Sequence, residues 1–173
     1  AIILSMTMVA LTAMSVSREV EQGTMENLLA TPLRPIEVMV GKIVPYFGMG
    51  LVQTVVILIA AKVIFAVPFE GSIALLLACT LLFALVCLAL GFTMSTLVSS
   101  QVQSMQASMF YLMPSILLSG FAFPFRGMPV WAQHIGELLP LTHFLRIVRG
   151  ILLKVNGPPE IWPNLWPLLL FTL

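Results

Sequence analysis

The chain has 173 residues, of which 60% are hydrophobic and 9% charged, with a formal net charge of +1. A soluble domain carries roughly 45–50% apolar and about 25% charged residues, so this chain has too little charge to solvate a globular surface. It also shows no basic patch with interleaved aromatics, so nothing points to nucleic acid as a partner. Residues 43–61 and 71–125 carry no charge at all. A membrane-crossing helix needs about 20 mainly apolar residues. The alternating pattern of a membrane β-barrel is absent. The composition therefore predicts an all-α integral membrane protein, a polytopic helical bundle surrounded by membrane lipid.

In chain order, residues 1–16 read as the end of a span. Residues 17–42 form a charged window. Residues 43–65 are a second span, with Lys42 and Lys62 near its ends, where long basic side chains reach the headgroups. Residues 67–71 are a short turn. Residues 73–98 are a third span, and residues 99–104 a polar break without charge. Residues 106–120 start a fourth span, which Pro114 should kink or loosen. Residues 121–159 are neither a clean span nor an ordinary loop, and from residue 161 the start of a last span follows. The chain opens without Met inside one apolar run and stops inside another, which reads as a C-terminal fragment of a longer protein. Cys79 and Cys87 both lie in apolar runs and read as small packing residues. Lys and Arg fall on both sides of the spans, so charge bias alone leaves the orientation open.

The window gathers Arg18, Glu19, Glu21, Glu26, Arg34, Glu37 and Lys42, seven of the charged residues. Glu19 and Glu21 suit the first turn of a helix. Gly23-Thr24 breaks it, and Thr24 caps a second short helix. There Met25, Leu28 and Leu29 make one apolar face, opposite Glu26. Thr31-Pro32 ends that helix, and Pro35 opens the next. Two readings fit: a tether on the membrane surface, or a knob that fits a groove on a soluble partner.

The run from Arg18 to Pro35, with Glu37 and Gly41-Lys42, resembles the segment that ABC-2 type permeases carry between two membrane helices, R-E-x-E-x-G-T-x-E-x-L-L-x-T-P. A later block is similar too: Leu118-Ser119-Gly120 with Pro124, Met128-Pro129, then Pro140, Thr142-His143-Phe144 and Arg149-Gly150. Within that family the closest flavour is the bacterial drug-efflux exporter branch. The resemblance implies that residues 17–42 hold a cytosolic coupling helix that docks into a cassette ATPase subunit. Arg18, Glu19, Glu21, Gly23, Thr24, Met25, Glu26, Leu28, Leu29, Thr31 and Pro32 would carry the coupling. It also implies a second permease, as homo- or heterodimer, and a multi-pass location in the bacterial cytoplasmic membrane. Residues 121–159 become an outer re-entrant hairpin, with Arg126, Pro129, Pro140, Thr142, His143, Arg146 and Arg149 as its marked positions.

Within that hairpin, residues 131–139 suit one short helix. Leu141, Phe144, Leu145, Val148, Ile151 and Leu152 form the stripe of another, with Arg146 and Arg149 on a different face. It reads either as a gate over the substrate path or as a segment on the outer leaflet anchored by Trp131, Trp162 and Trp166. His134 and Glu137, three apart, read as polar contacts and not as a metal site. His143 after Pro-x-Thr is expected to fix the turn through a backbone hydrogen bond. Within the spans, Cys87, Gly91 and Ser95 repeat on one face and suit close helix packing, inside one subunit or between two. Gln53 is costly in lipid, so Gln53 and Thr54 are expected on the translocation route, with Phe121, Phe123 and Pro124 at its exit. The 11 Met and 11 Phe suit either an adaptable apolar cavity or ordinary lipid-facing surface.

There is no Asp, no Walker-type Gly-Lys-Ser/Thr run and no catalytic arrangement. The reading is a non-enzymatic permease subunit of an ATP-driven exporter of lipophilic or amphipathic substrates. Its only cofactors would be ATP and Mg on the partner subunit. Alternatives are an ABC-2 exporter of a polymer or lipid-linked glycan, and a secondary transporter or scaffold without an ATPase. A secondary transporter would want ionisable groups at mid-membrane, which the spans lack.

Overall fold

The computed structural model describes residues 1–23, 35–63, 72–154 and 158–172. The described residues form seven α-helices and one 3₁₀ turn: α1 (Ile2–Glu21), α2 (Pro35–Val63), α3 (Ile73–Thr96), α4 (Gln101–Leu118), the turn Phe125–Gly127, α5 (Val130–Glu137), α6 (Pro140–Lys154) and α7 (Pro158–Leu170). The sequence differs from this division in two places. Helix α1 does not stop where the charges begin but runs on to Glu21, which puts Glu19 and Glu21 in its last turns and not in the first turn of a new helix. Helix α4 begins at Gln101, within the segment read as a polar break. Ser100 caps it by accepting from the Gln103 N–H at 3.3 Å, while Gln103 Oε1 accepts from the Ser99 N–H at 3.1 Å. Those two bonds turn a polar run into a helix start.

Helix α3 sits at the centre. Leu76, Phe83, Val86, Cys87 and Leu88 are buried against Leu4, Met8 and Val9 of α1 and against Phe144, Ile147 and Ile151 of α6. The rings of Phe83 and Phe144 stack with centroids 4.1 Å apart and planes 5° from parallel. The stripe expected from residue 141 onward is the one that fills this core: Leu141, Phe144, Leu145 and Ile151 are buried, with Val148 and Leu152 packed against them.

The small-residue face of α3 packs within this chain. Cys87, Gly91 and Ser95 are all buried. A Cβ on Gly91 would stand 2.7 Å from Thr12 Cβ and 3.1 Å from the Val9 carbonyl oxygen, so α1 and α3 touch backbone to backbone there. Helix α2 is the opposite case. Val44, Val52, Val55, Val56, Ile59 and Val63 are exposed, as on a helix whose neighbour is lipid. Several hydroxyls in the apolar helices are returned to their own backbone. Thr54 donates to Gly50 O and Thr80 to Leu76 O, each at 2.7 Å, and Ser115 donates to Tyr111 O at 2.6 Å.

Candidate coupling end and hairpin site

The marked residues fall at two ends of the bundle. At the first, α1 carries Arg18 in its last turn, where a cation suits the helix dipole. Gly23 follows with φ +67°, a left-handed conformation that ends a helix without a Cβ penalty. Glu21 finds a use that its place on α1 does not suggest. Its Oε2 accepts from both the backbone N–H and the side-chain Nε2 of Gln101, each at 3.2 Å. The carboxylate thus sits on the N-terminus of α4, the end that favours negative charge. One turn deeper, the buried hydroxyls of Ser17 and Ser104 hydrogen-bond each other. The place where α1 enters the charged window is therefore fastened to the start of α4. Arg18, Glu19, Glu21 and Gly23 belong to this corner. Thr24, Met25, Glu26, Leu28, Leu29, Thr31 and Pro32 lie outside the described residues.

At the other end, the hairpin is clasped from three sides. Pro129 precedes α5 and Pro140 opens α6. Thr142 is fully buried and its hydroxyl donates to Gly136 O at 2.6 Å. His143 Nε2 donates to Glu137 O at 2.8 Å, the backbone bond expected of it. Its Nδ1 lies 3.3 Å from the side-chain amide of Asn164, which brings α6 and α7 side by side. Arg149 Nη2 donates to Gly120 O at 3.3 Å, tying α6 to the exit of α4. Gly136 is pressed so close to α4 that a Cβ there would stand 2.5 Å from Leu118 O. Arg146 lies 3.8 Å from Glu137 Oε1, with its guanidinium carbon 4.7 Å from the centroid of Phe125. The backbone of Arg126 lies in the 3₁₀ turn.

The residues expected on a translocation route are divided between elements. Gln53 Oε1 accepts from the Thr7 hydroxyl at 2.8 Å, so this amide ties α2 to α1. Thr54 is buried beside an apolar cavity of about 110 Å³ lined also by Leu4, Leu58, Thr80 and Phe144. Phe121 and Phe123 are exposed where the hairpin begins, and Pro124 precedes the 3₁₀ turn. Among the described residues, no three His, Cys, Asp or Glu side chains cluster as metal ligands. Sequence reasoning missed Gln101, Gly120, Gly136 and Asn164 as partners. Their roles are backbone contacts and caps, and only Gly-rich spacing and the Ser-x-x-Gln run hinted at them.

Among the described residues, three helices, Ile2–Glu19, Ile43–Val63 and Ile73–Thr96, are long and apolar enough to cross a membrane. With a hairpin of short helices clasped at one end, they define a helical-bundle membrane protein. The chain belongs to the ABC-2 family transporter proteins, whose match runs over residues 1–173. That agrees with the resemblance carried by the charged window and the late block. It is 36% identical over 172 residues to the probable multidrug ABC transporter permease YbhR of Escherichia coli strain K12, covering 99% of this chain and 47% of that protein. To YbhS of the same strain, also a probable multidrug ABC transporter permease, it is 32% identical over 155 residues, covering 89% and 41%. A more distant relative is ABC transporter G family member 20 of Dictyostelium discoideum, 30% identical over 156 residues, covering 89% of this chain and 21% of that protein. The chain thus spans about half the length of the bacterial relatives it matches. No solved structure matches it significantly.

Proposed function

We propose that this chain is part of the permease subunit of an ATP-driven exporter in the bacterial cytoplasmic membrane. It moves a lipophilic or amphipathic substrate outward, while a separate cassette ATPase binds ATP and Mg and hydrolyses the nucleotide. The observation that carries the reading is the family match over the whole chain, supported by relatives named as multidrug ABC permeases. Contacts between the helices support such coupling. A push arriving from the charged window at Gly23 would pass to α4 through Glu21–Gln101 and Ser17–Ser104. Helix α4 leads to Leu118 and Gly120, which hold Gly136 and Arg149 of the hairpin. Packed helices transmit such a push as a rigid-body shift, because a dense core does not absorb it. The shift loosens the hairpin clasp, and the path opens at that end.

The test is transport by the full-length permease with its cassette ATPase in proteoliposomes, read as release of a lipophilic fluorescent cation. Transport should need ATP and stop when the ATPase's nucleotide-binding Lys is replaced. Transport that persists with the dead ATPase, or that follows a proton gradient alone, contradicts the proposal and favours a secondary transporter.

A further inference from the structure

A groove of about 680 Å³ runs between the hairpin and α7, with the clasp residues His143 and Asn164 in its wall. Its two halves differ in chemistry. One half is polar, with Glu137 and Arg146 standing as a pair at 3.8 Å and keeping 53% and 39% side-chain exposure. The other half is apolar, formed by Leu138, Trp166, Leu170 and Phe171, all exposed. Trp162, Trp166 and Leu170 are spaced by four on α7 and form one exposed stripe. An exposed Trp stripe beside charged groups marks the level where lipid headgroups meet acyl chains. Helix α7 contributes a third feature. Pro163 lines the groove, and because Pro167 has no N–H, the Pro163 carbonyl lacks its helical donor four residues on.

We propose that this groove seats one phospholipid of the adjacent leaflet, with a headgroup carrying both a phosphate and a primary ammonium, as in phosphatidylethanolamine. The charge complementarity is direct. The phosphate takes the Arg146 guanidinium, which Phe125 already holds in place by stacking, so less ordering is needed on binding. The ammonium takes the Glu137 carboxylate, and the Pro163 carbonyl, without its helical donor, is a second acceptor for one of its three hydrogens. The acyl chains run along Leu138, Trp166 and Leu170. A charge pair that is neutral as a whole selects a zwitterionic headgroup over an anionic one, because an anionic lipid would leave Glu137 facing negative charge. The lipid braces α7 against the hairpin from outside.

The test is native mass spectrometry of the purified full-length permease, incubated in turn with phosphatidylethanolamine, phosphatidylcholine and phosphatidylglycerol. The wild type should retain phosphatidylethanolamine in preference to both others. Arg146→Gln should weaken that retention by roughly tenfold, the loss of one charge-assisted contact. Trp166→Ala should weaken it too, through the apolar half, which keeps the test valid if the Arg146 variant folds poorly. Arg149→Gln removes a nearby guanidinium that binds Gly120 O and does not line the groove, and it should retain the lipid. Equal loss in the Arg146 and Arg149 variants overturns the proposal, as does preference for phosphatidylglycerol. A wild type that retains no phosphatidylethanolamine, as a groove closed by a second copy would give, overturns it as well.

Discussion

Replacing Gly91 by Ala puts a methyl group into the crossing of α1 and α3. The new Cβ would meet Thr12 Cβ at 2.7 Å, Thr12 Cγ2 at 3.1 Å and the Val9 carbonyl oxygen at 3.1 Å. Ordinary carbon contacts lie near 3.5 Å or beyond, so the helices must part by roughly 0.8 Å. The obstacles are a Cβ and a backbone oxygen, which no rotamer change can move aside. Overpacking of this kind costs about 1–3 kcal/mol, and the rigid neighbours place this case near the upper half. Alanine regains about 0.8–1.0 kcal/mol of helix propensity over glycine. The net expectation is a loss of about 1–2 kcal/mol. The assay is unfolding of the full-length permease in mixed micelles of rising SDS fraction, followed by circular dichroism. Adding Thr12→Gly removes the opposing Cβ, and the double variant should be more stable than the sum of the two single losses. A Gly91→Ala protein as stable as the wild type, with no coupling to position 12, would refute the claim that α1 and α3 are seated backbone to backbone.

The other outcomes follow from the same contacts. Thr12 Oγ1 is buried with no hydrogen-bond partner among the described residues, so Thr12→Val should stabilise the protein by about 1 kcal/mol in the same titration. Phe83 is buried and stacked on Phe144, so Phe83→Ala should cost about 3–5 kcal/mol, among the larger single losses in this core. Glu21→Ala removes an exposed acceptor from the start of α4, so its cost should be no more than about 1 kcal/mol. Its clearer mark is faster hydrogen exchange at residues 101–104, with exchange at the α3 core unchanged.

The long apolar runs made the class legible, because charge-free stretches of that length leave few alternatives. The hairpin helices were legible as well: the stripe from Leu141 to Leu152 has one helical face, and that face meets the core. The extent of α1 was not legible. Charge after residue 17 looks like a helix start, but the decisive fact is the remote N-terminus of α4 that receives Glu21. Sequence spacing carries no information about a partner 80 positions away. Gln53 shows the same limit. Its polarity within a span marks it as satisfied by something, yet only the fold shows that this is Thr7 of the neighbouring helix. Gly91 could be read as a packing residue from its spacing, whereas the choice between packing inside one chain and between two needed Thr12 to be in place opposite it.

The measurement that bears most directly on ATP-driven coupling through the charged window is co-purification of the full-length permease with its cassette ATPase. The wild type should be compared with a Glu26→Arg, Leu28→Asp double variant. The account expects the wild type to retain the ATPase, and the variant to insert normally, keep its fold and lose it. A wild type that binds no ATPase, or a folded double variant that retains it in full, would contradict the account and leave the window as a surface tether.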